Sequence, residues 1–169
     1  MATKRRNLFI YLTLACFLGI IAIFIFDGYM GIYDTVFVTS GEREQEIGPE
    51  VWQRDGMFWT SGIERGEKAF FRYEVDNRTF STYREDIQVT VWRMQEKVAD
   101  VLAEPLSVGA FDKGRVEWAV DAAELVPSDA PPEQRFEFTV RIERGDIQRN
   151  IILNINPLPV RAIPAPTPG

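Results

Sequence analysis

Nineteen consecutive residues, Leu8 to Phe26, carry no charge. Wound as a helix at about 1.5 Å per residue they span roughly 28 Å, close to the thickness of a bilayer's hydrocarbon core. A backbone inside lipid has to satisfy its own hydrogen bonds, so a lone segment crosses as a helix. The run therefore predicts a transmembrane helix over 8–26. It divides the chain into a basic flank over 1–7, an extracytoplasmic domain over 27–156 and a tail over 157–169. Lys4, Arg5 and Arg6 precede the run, and the first basic residue after it is Arg43. That asymmetry places the N-terminus in the cytoplasm and the bulk of the chain on the other side of the cell membrane. Tyr29 and Tyr33 fall where interfacial aromatics are expected.

The run is longer than the core of a cleaved signal peptide, and Phe26-Asp27-Gly28-Tyr29-Met30-Gly31 holds no Ala-x-Ala cut site. Cys16 follows Leu12-Thr13-Leu14-Ala15, but ten more residues of the uncharged run come after it where a lipid-modified protein has a polar tether. It is read as a small side chain of the span. Ala15, Gly19 and Ala22 share one face, and small residues there let a second helix approach closely.

Charge and composition exclude much chemistry. Of 19 basic residues three precede the run, leaving 16 against 25 acidic in residues 27–169, a net charge of −9. Such a domain is not built to hold a phosphate backbone, so nucleic acid is not expected as a partner. There is no histidine, and the single cysteine is Cys16. Ser-His and Cys-His nucleophile systems and the usual zinc, copper and haem ligand sets are absent. No enzyme activity and no cofactor are expected. Asp76, Asp86, Asp112, Asp121 and Asp129 lie near strand ends, where calcium would be bound, yet none forms a DxDxDG run. Asn77-Arg78-Thr79 fits the glycosylation acceptor pattern.

Beyond Asp27 the apolar period becomes two. Strands are predicted over 33–39, 57–61, 68–76, 86–94, 98–102, 105–111, 115–120, 136–143 and 147–155. Turns are expected at Asp76-Asn77, Asp112-Lys113-Gly114 and Gly145-Asp146, and a helical turn over 121–125. The polar stretch Glu42–Glu46 reads as a break. Seven to nine short strands with a turn every ten or so residues describe an all-β sandwich. Glu117-Trp-Ala-Val-Asp121, Leu125-Val-Pro127 and Phe136-Glu-Phe-Thr-Val140 resemble the late strands of fibronectin type III and other Ig-like domains. There a Leu-x-Pro corner precedes the aromatic that opens the following strand. Phe136 stands where that family usually has a tyrosine. The resemblance covers roughly residues 115–155 and implies an Ig-like antiparallel sandwich. It transfers no activity. Residues 157–169 hold five of the ten prolines and predict an extended spacer.

Trp52, Met57, Phe58 and Trp59 cluster near the span and are candidates for a partner surface. The expectation is a non-catalytic interaction module or accessory subunit, with the lipid bilayer and another membrane protein as partners. The alternative is a cell-surface or glycan-binding module, with Trp92 and Trp118 as a platform because they lie off the main apolar rows of their strands.

Overall fold

The computed structural model describes residues 2–40, 43–48, 57–59 and 62–157, with side chains apart from those of 2–10, 24, 25, 27, 28 and 57–59. Trp52 and the proline-rich tail from 158 on therefore lie outside the described residues. Helix α1 runs from Ala2 to Tyr29. Among the described residues no helix is long and apolar enough to cross a membrane; the unbroken set of described side chains in α1 covers only 11–23.

The Met30 amide closes the last turn of α1 on the Phe26 carbonyl at 2.8 Å. Gly31 then takes φ +154°, a backbone conformation that residues with a side chain rarely adopt. This one residue converts the helix into strand β1 (Ile32–Ser40). Strands β2 (Arg43–Ile47), β5 (Lys68–Asn77) and β8 (Asp112–Asp121) complete a four-stranded sheet in the order β2-β1-β5-β8. The second sheet runs β3 (Met57–Trp59), β10 (Ile147–Asn156), β9 (Phe136–Arg144), β6 (Tyr83–Arg93) and β7 (Glu96–Val108). The short β4 (Ile63–Glu64) also pairs with β10. Pairing is antiparallel except where β3 and β4 run parallel to β10. The result is a two-sheet, largely antiparallel β-sandwich.

The period-two rows explain the core. Ala69, Phe71, Tyr73 and Val75 of β5 are buried, as are Phe136, Phe138, Val140 and Ile142 of β9. Each row faces the other sheet, because alternate side chains of a strand share a face. Phe71 and Trp118 stand opposite each other on β5 and β8 and stack at 5.4 Å, with rings 2° from parallel. Gly145 opens the β9–β10 hairpin at φ +51°, between paired residues Arg144 and Ile147. Asp121 caps α2 (Ala122–Leu125), its carboxylate accepting from the Ala123 amide at 2.9 Å. Leu125 packs against the core and Phe136 is buried at the start of β9 beneath the guanidiniums of Arg65 and Arg93.

Four local expectations are corrected. The polar stretch after Ser40 is not a break: Arg43–Ile47 forms β2, an edge strand whose charges face water. The segment 98–102 and residues 105–108 of the next are parts of one 13-residue strand, β7, which ends at Val108; Pro105 is tolerated because β7 is an edge. The turn joining β7 to β8 lies at 109–111 and not at Asp112-Lys113-Gly114. Asp112 N–H donates to Gly109 O at 3.3 Å, and Phe111 takes the left-handed φ of 55°. Gly114 sits inside β8, where a Cβ would run into the side chains of Val108 and Leu106. Its glycine serves close packing, which mimics a turn signal in sequence. Finally, Asn77 ends β5 and is not a turn residue.

The register of β9 is directly testable. Phe138 is buried and Thr139 is half-buried on the opposite face. Phe138→Asp is expected to lose several kcal/mol and unfold the domain, since total stability is about 5–15 kcal/mol. Thr139→Asp is expected to melt within a few degrees of the parent. Urea titration followed by tryptophan fluorescence measures both.

Candidate functional site: the helix end of the sandwich

The pairing that links Ile32 to Asn77, and Asn77 to Asp112, brings the start of β1, the β5–β6 loop and the β7–β8 turn to one end. The exit of α1 lies at that end too, where the Arg78 amide donates to the Gly31 carbonyl at 2.9 Å. The Arg78 guanidinium lies over both Tyr29 and Tyr33, at 4.8 and 4.7 Å from their ring centres. Its charge is met by Asp76 at 2.9 Å. Phe26 of α1 stacks on Phe80 at 5.9 Å, and Phe80 meets Phe111 edge-on at 4.9 Å.

Asn77 holds the two loops together. Its Nδ2 donates to the carbonyls of Ser81, Val108 and Gly109 at 2.8, 3.1 and 2.8 Å. Its Oδ1 accepts from the Thr79 amide and hydroxyl. The side chain is fully buried. The glycosylation reading of Asn77-Arg78-Thr79 is thereby corrected, because Nδ2 is buried with both hydrogens engaged by backbone carbonyls, and a glycan there has no room.

Asp34 lies just inside this end and joins the two sheets. It is 3 % exposed. Arg149 of β10 reaches it with two donors, Nε at 2.9 Å and Nη2 at 3.0 Å, and the Tyr73 hydroxyl donates at 3.1 Å. Burial alone would raise the carboxyl pKa. The hydrogen bond and charge of Arg149, the charge of Arg144 and the Tyr73 hydroxyl outweigh it, and the group titrates below its ordinary 3.8. Burial and the Asp34 carboxylate push the Tyr73 phenol up. Burial likewise raises Tyr83, over whose ring Arg144 lies at 5.4 Å.

The other sequence candidates are dispersed. Ala15, Gly19 and Ala22 lie on α1, and a Cβ on Gly19 would meet nothing within 4 Å. Ala22 lines a shallow groove with Ile23, Phe26 and Met30. Met57, Phe58 and Trp59 form β3 on β10, while their presumed companion Trp52 is outside the described residues. Trp118 is only 8 % exposed, so its reading as a platform is corrected. It belongs to the buried row Val116, Trp118, Val120, which the intervening Ala119 obscured. Trp92 is half-buried, its Nε1 donating to Thr90 Oγ1 at 2.8 Å and its ring covered by Arg141 at 4.3 Å. Among the described residues no group of three carboxylates is placed to hold a metal ion. Asp76 is engaged with Arg78, and Asp121 with Lys68 and the cap of α2.

Sequence reasoning missed the buried Asp34–Arg149 pair and the phenylalanine contacts. A lone aspartate among the apolar residues of β1 was the available signal for the first. Phe80 and Phe111 stand outside any periodic row and carried none.

No family model and no curated protein matches the chain. Among solved structures it is similar to the periplasmic chaperone SfaE, at 16 % identity and a TM-score of 0.37. The match covers 62 % of this chain and 56 % of that one, so the chain spans little more than half of its length. A likeness so slight carries no argument about what this chain does.

The ion pair yields a pH signature. A carboxylate held below its ordinary pKa stabilises the fold fully above pH 3.8, and that contribution disappears as the pH falls through the folded-state value. Asp34→Asn leaves Arg149 without its carboxylate and is expected to cost about 3 kcal/mol at pH 7. The gap between parent and variant is expected to narrow below pH 3.8, as denaturant titrations at the two pH values will show.

Proposed function

We propose that α1 anchors the chain in a membrane with its N-terminus cytoplasmic, and that the sandwich acts beyond the bilayer as a non-catalytic accessory subunit docked on another membrane protein. The observation that carries this reading is the exposure of α1. Leu12, Leu14, Phe17, Leu18, Ile20 and Ile23 are each more than half exposed, so the sandwich does not cover them. At 3.6 residues per turn they cover roughly two thirds of the helix circumference. A helix apolar over so much of its surface is stable only inside an apolar surrounding. The uncharged sequence continues on both sides, from Leu8 to Phe26.

The remaining sector of the circumference holds Ala15, Gly19 and Ala22, where a second helix finds room against the backbone. Strand β1 starts three residues after α1 ends. So short a link keeps the sandwich within reach of whatever the helix touches, and two weak contacts then add through effective concentration. The absence of imidazole and thiol from residues 27–169 leaves an interaction role needing no further chemistry.

Protease added outside intact spheroplasts is expected to digest residues 27–169, and full protection would reverse the orientation. Gly19→Leu and Trp52→Ala are each expected to lower recovery of one common partner several-fold from mild detergent, and together to abolish it. Monomer alone after crosslinking in native membranes would end the accessory-subunit reading.

A further inference from the structure

The aromatic cluster at the helix end has a role that anchoring by α1 does not require. We propose that Phe80 and Phe111 insert into the lipid interface, so that the β5–β6 loop and the β7–β8 turn seat the sandwich on the bilayer in one fixed orientation. The proposal rests on the membrane reading of α1.

Three observations carry it. The first is depth. Phe26 is the last residue of the uncharged run, and in a spanning α1 it marks the edge of the hydrocarbon. Phe80 stacks on it at 5.9 Å and Phe111 touches Phe80 at 4.9 Å, so all three rings lie within about two ring widths of that edge. The second is exposure. Phe80 is 70 % and Phe111 53 % exposed, and neither contributes to the core between the sheets. The third is conformation. Phe111 holds φ 55°, a region that bulky side chains avoid and that glycine or asparagine occupies readily. The turn keeps a bulky apolar ring at a position where its own backbone favours a small residue.

The chemistry around the rings matches an interface more closely than a protein partner. Tyr29 and Tyr33 lie at the same end of the sandwich, amphipathic rings of the type that gathers at headgroup depth. Arg78 lies over both tyrosines, with Asp76 compensating its charge, so the cluster combines aromatic surface with a neutralised cation. Continuity with the apolar surface of α1 makes lipid the occupant that covers helix and loops together.

The test uses the full chain with Cys16→Ala, reconstituted into vesicles of phosphatidylcholine with one quarter phosphatidylglycerol. Single nitroxide labels are placed at Phe80→Cys, Phe111→Cys, Ile20→Cys within α1, and Met94→Cys at the β6–β7 turn. Thermal melts of each labelled chain confirm the fold. Labels at 80 and 111 are expected to collide more with oxygen than with a water-soluble nickel chelate, as at 20, and the label at 94 is expected to show the reverse. If 80 and 111 behave like 94 while 20 reports lipid, the seating proposal fails and the anchor stands. Shielding of 80 and 111 from both reagents means that protein covers them, which also overturns it. If 20 is itself open to nickel, the anchor reading fails and the proposal falls with it.

Discussion

The two-pronged bond between Asp34 and Arg149 joins the beginning of the sandwich to its end. The partners lie 115 positions apart, on the first strand of one sheet and the last strand of the other. A carboxylate removed from water is costly unless its oxygens are met, and here both are, with Tyr73 adding a third donor. Apolar rows alone would let the two sheets slide by a residue pair at modest cost. A buried ion pair does not slide, because every other register strands a charge. The relative placement of β1 and β10 therefore follows from one interaction.

That placement governs the helix end. Asp34 lies five residues beyond the last residue of α1, so tying it to β10 also locates the exit of the helix. Asn77 performs the neighbouring task, gathering the β5–β6 loop and the β7–β8 turn with donors to three carbonyls. Phe80 meets Phe26, and Phe111 meets Phe80, because two polar side chains hold the loops that carry them. Polar groups thus set the geometry of an apolar surface.

Legibility differed from segment to segment for physical reasons. Strand β5 and the β9–β10 hairpin were plain because one face is core and the other water, which imposes strict alternation. Strand β2 was hidden: an edge strand exposed to solvent is charged, and in sequence that looks like a loop. Gly114 and Phe111 exchanged their expected roles. Glycine signals either a turn or a close approach, and only the neighbouring strand, with Val108 against position 114, tells which. Trp118 was misplaced because its strand's inward row contains a single large aromatic. Its partner in the stack, Phe71, comes from 47 positions earlier in the chain.

The amino-acid sequence by itself determined an uncharged helical run, an acidic domain without imidazole or thiol, and a two-sheet apolar pattern. These are properties of composition and local period, which need no knowledge of contacts. Only the tertiary structure decided that Asp34 finds Arg149, that Asn77 is buried under three carbonyls, and that Phe80 and Phe111 lie beside the helix exit. Each of these joins residues far apart in the chain, and the energy of a buried polar contact or a ring stack depends on a partner that local pattern does not specify.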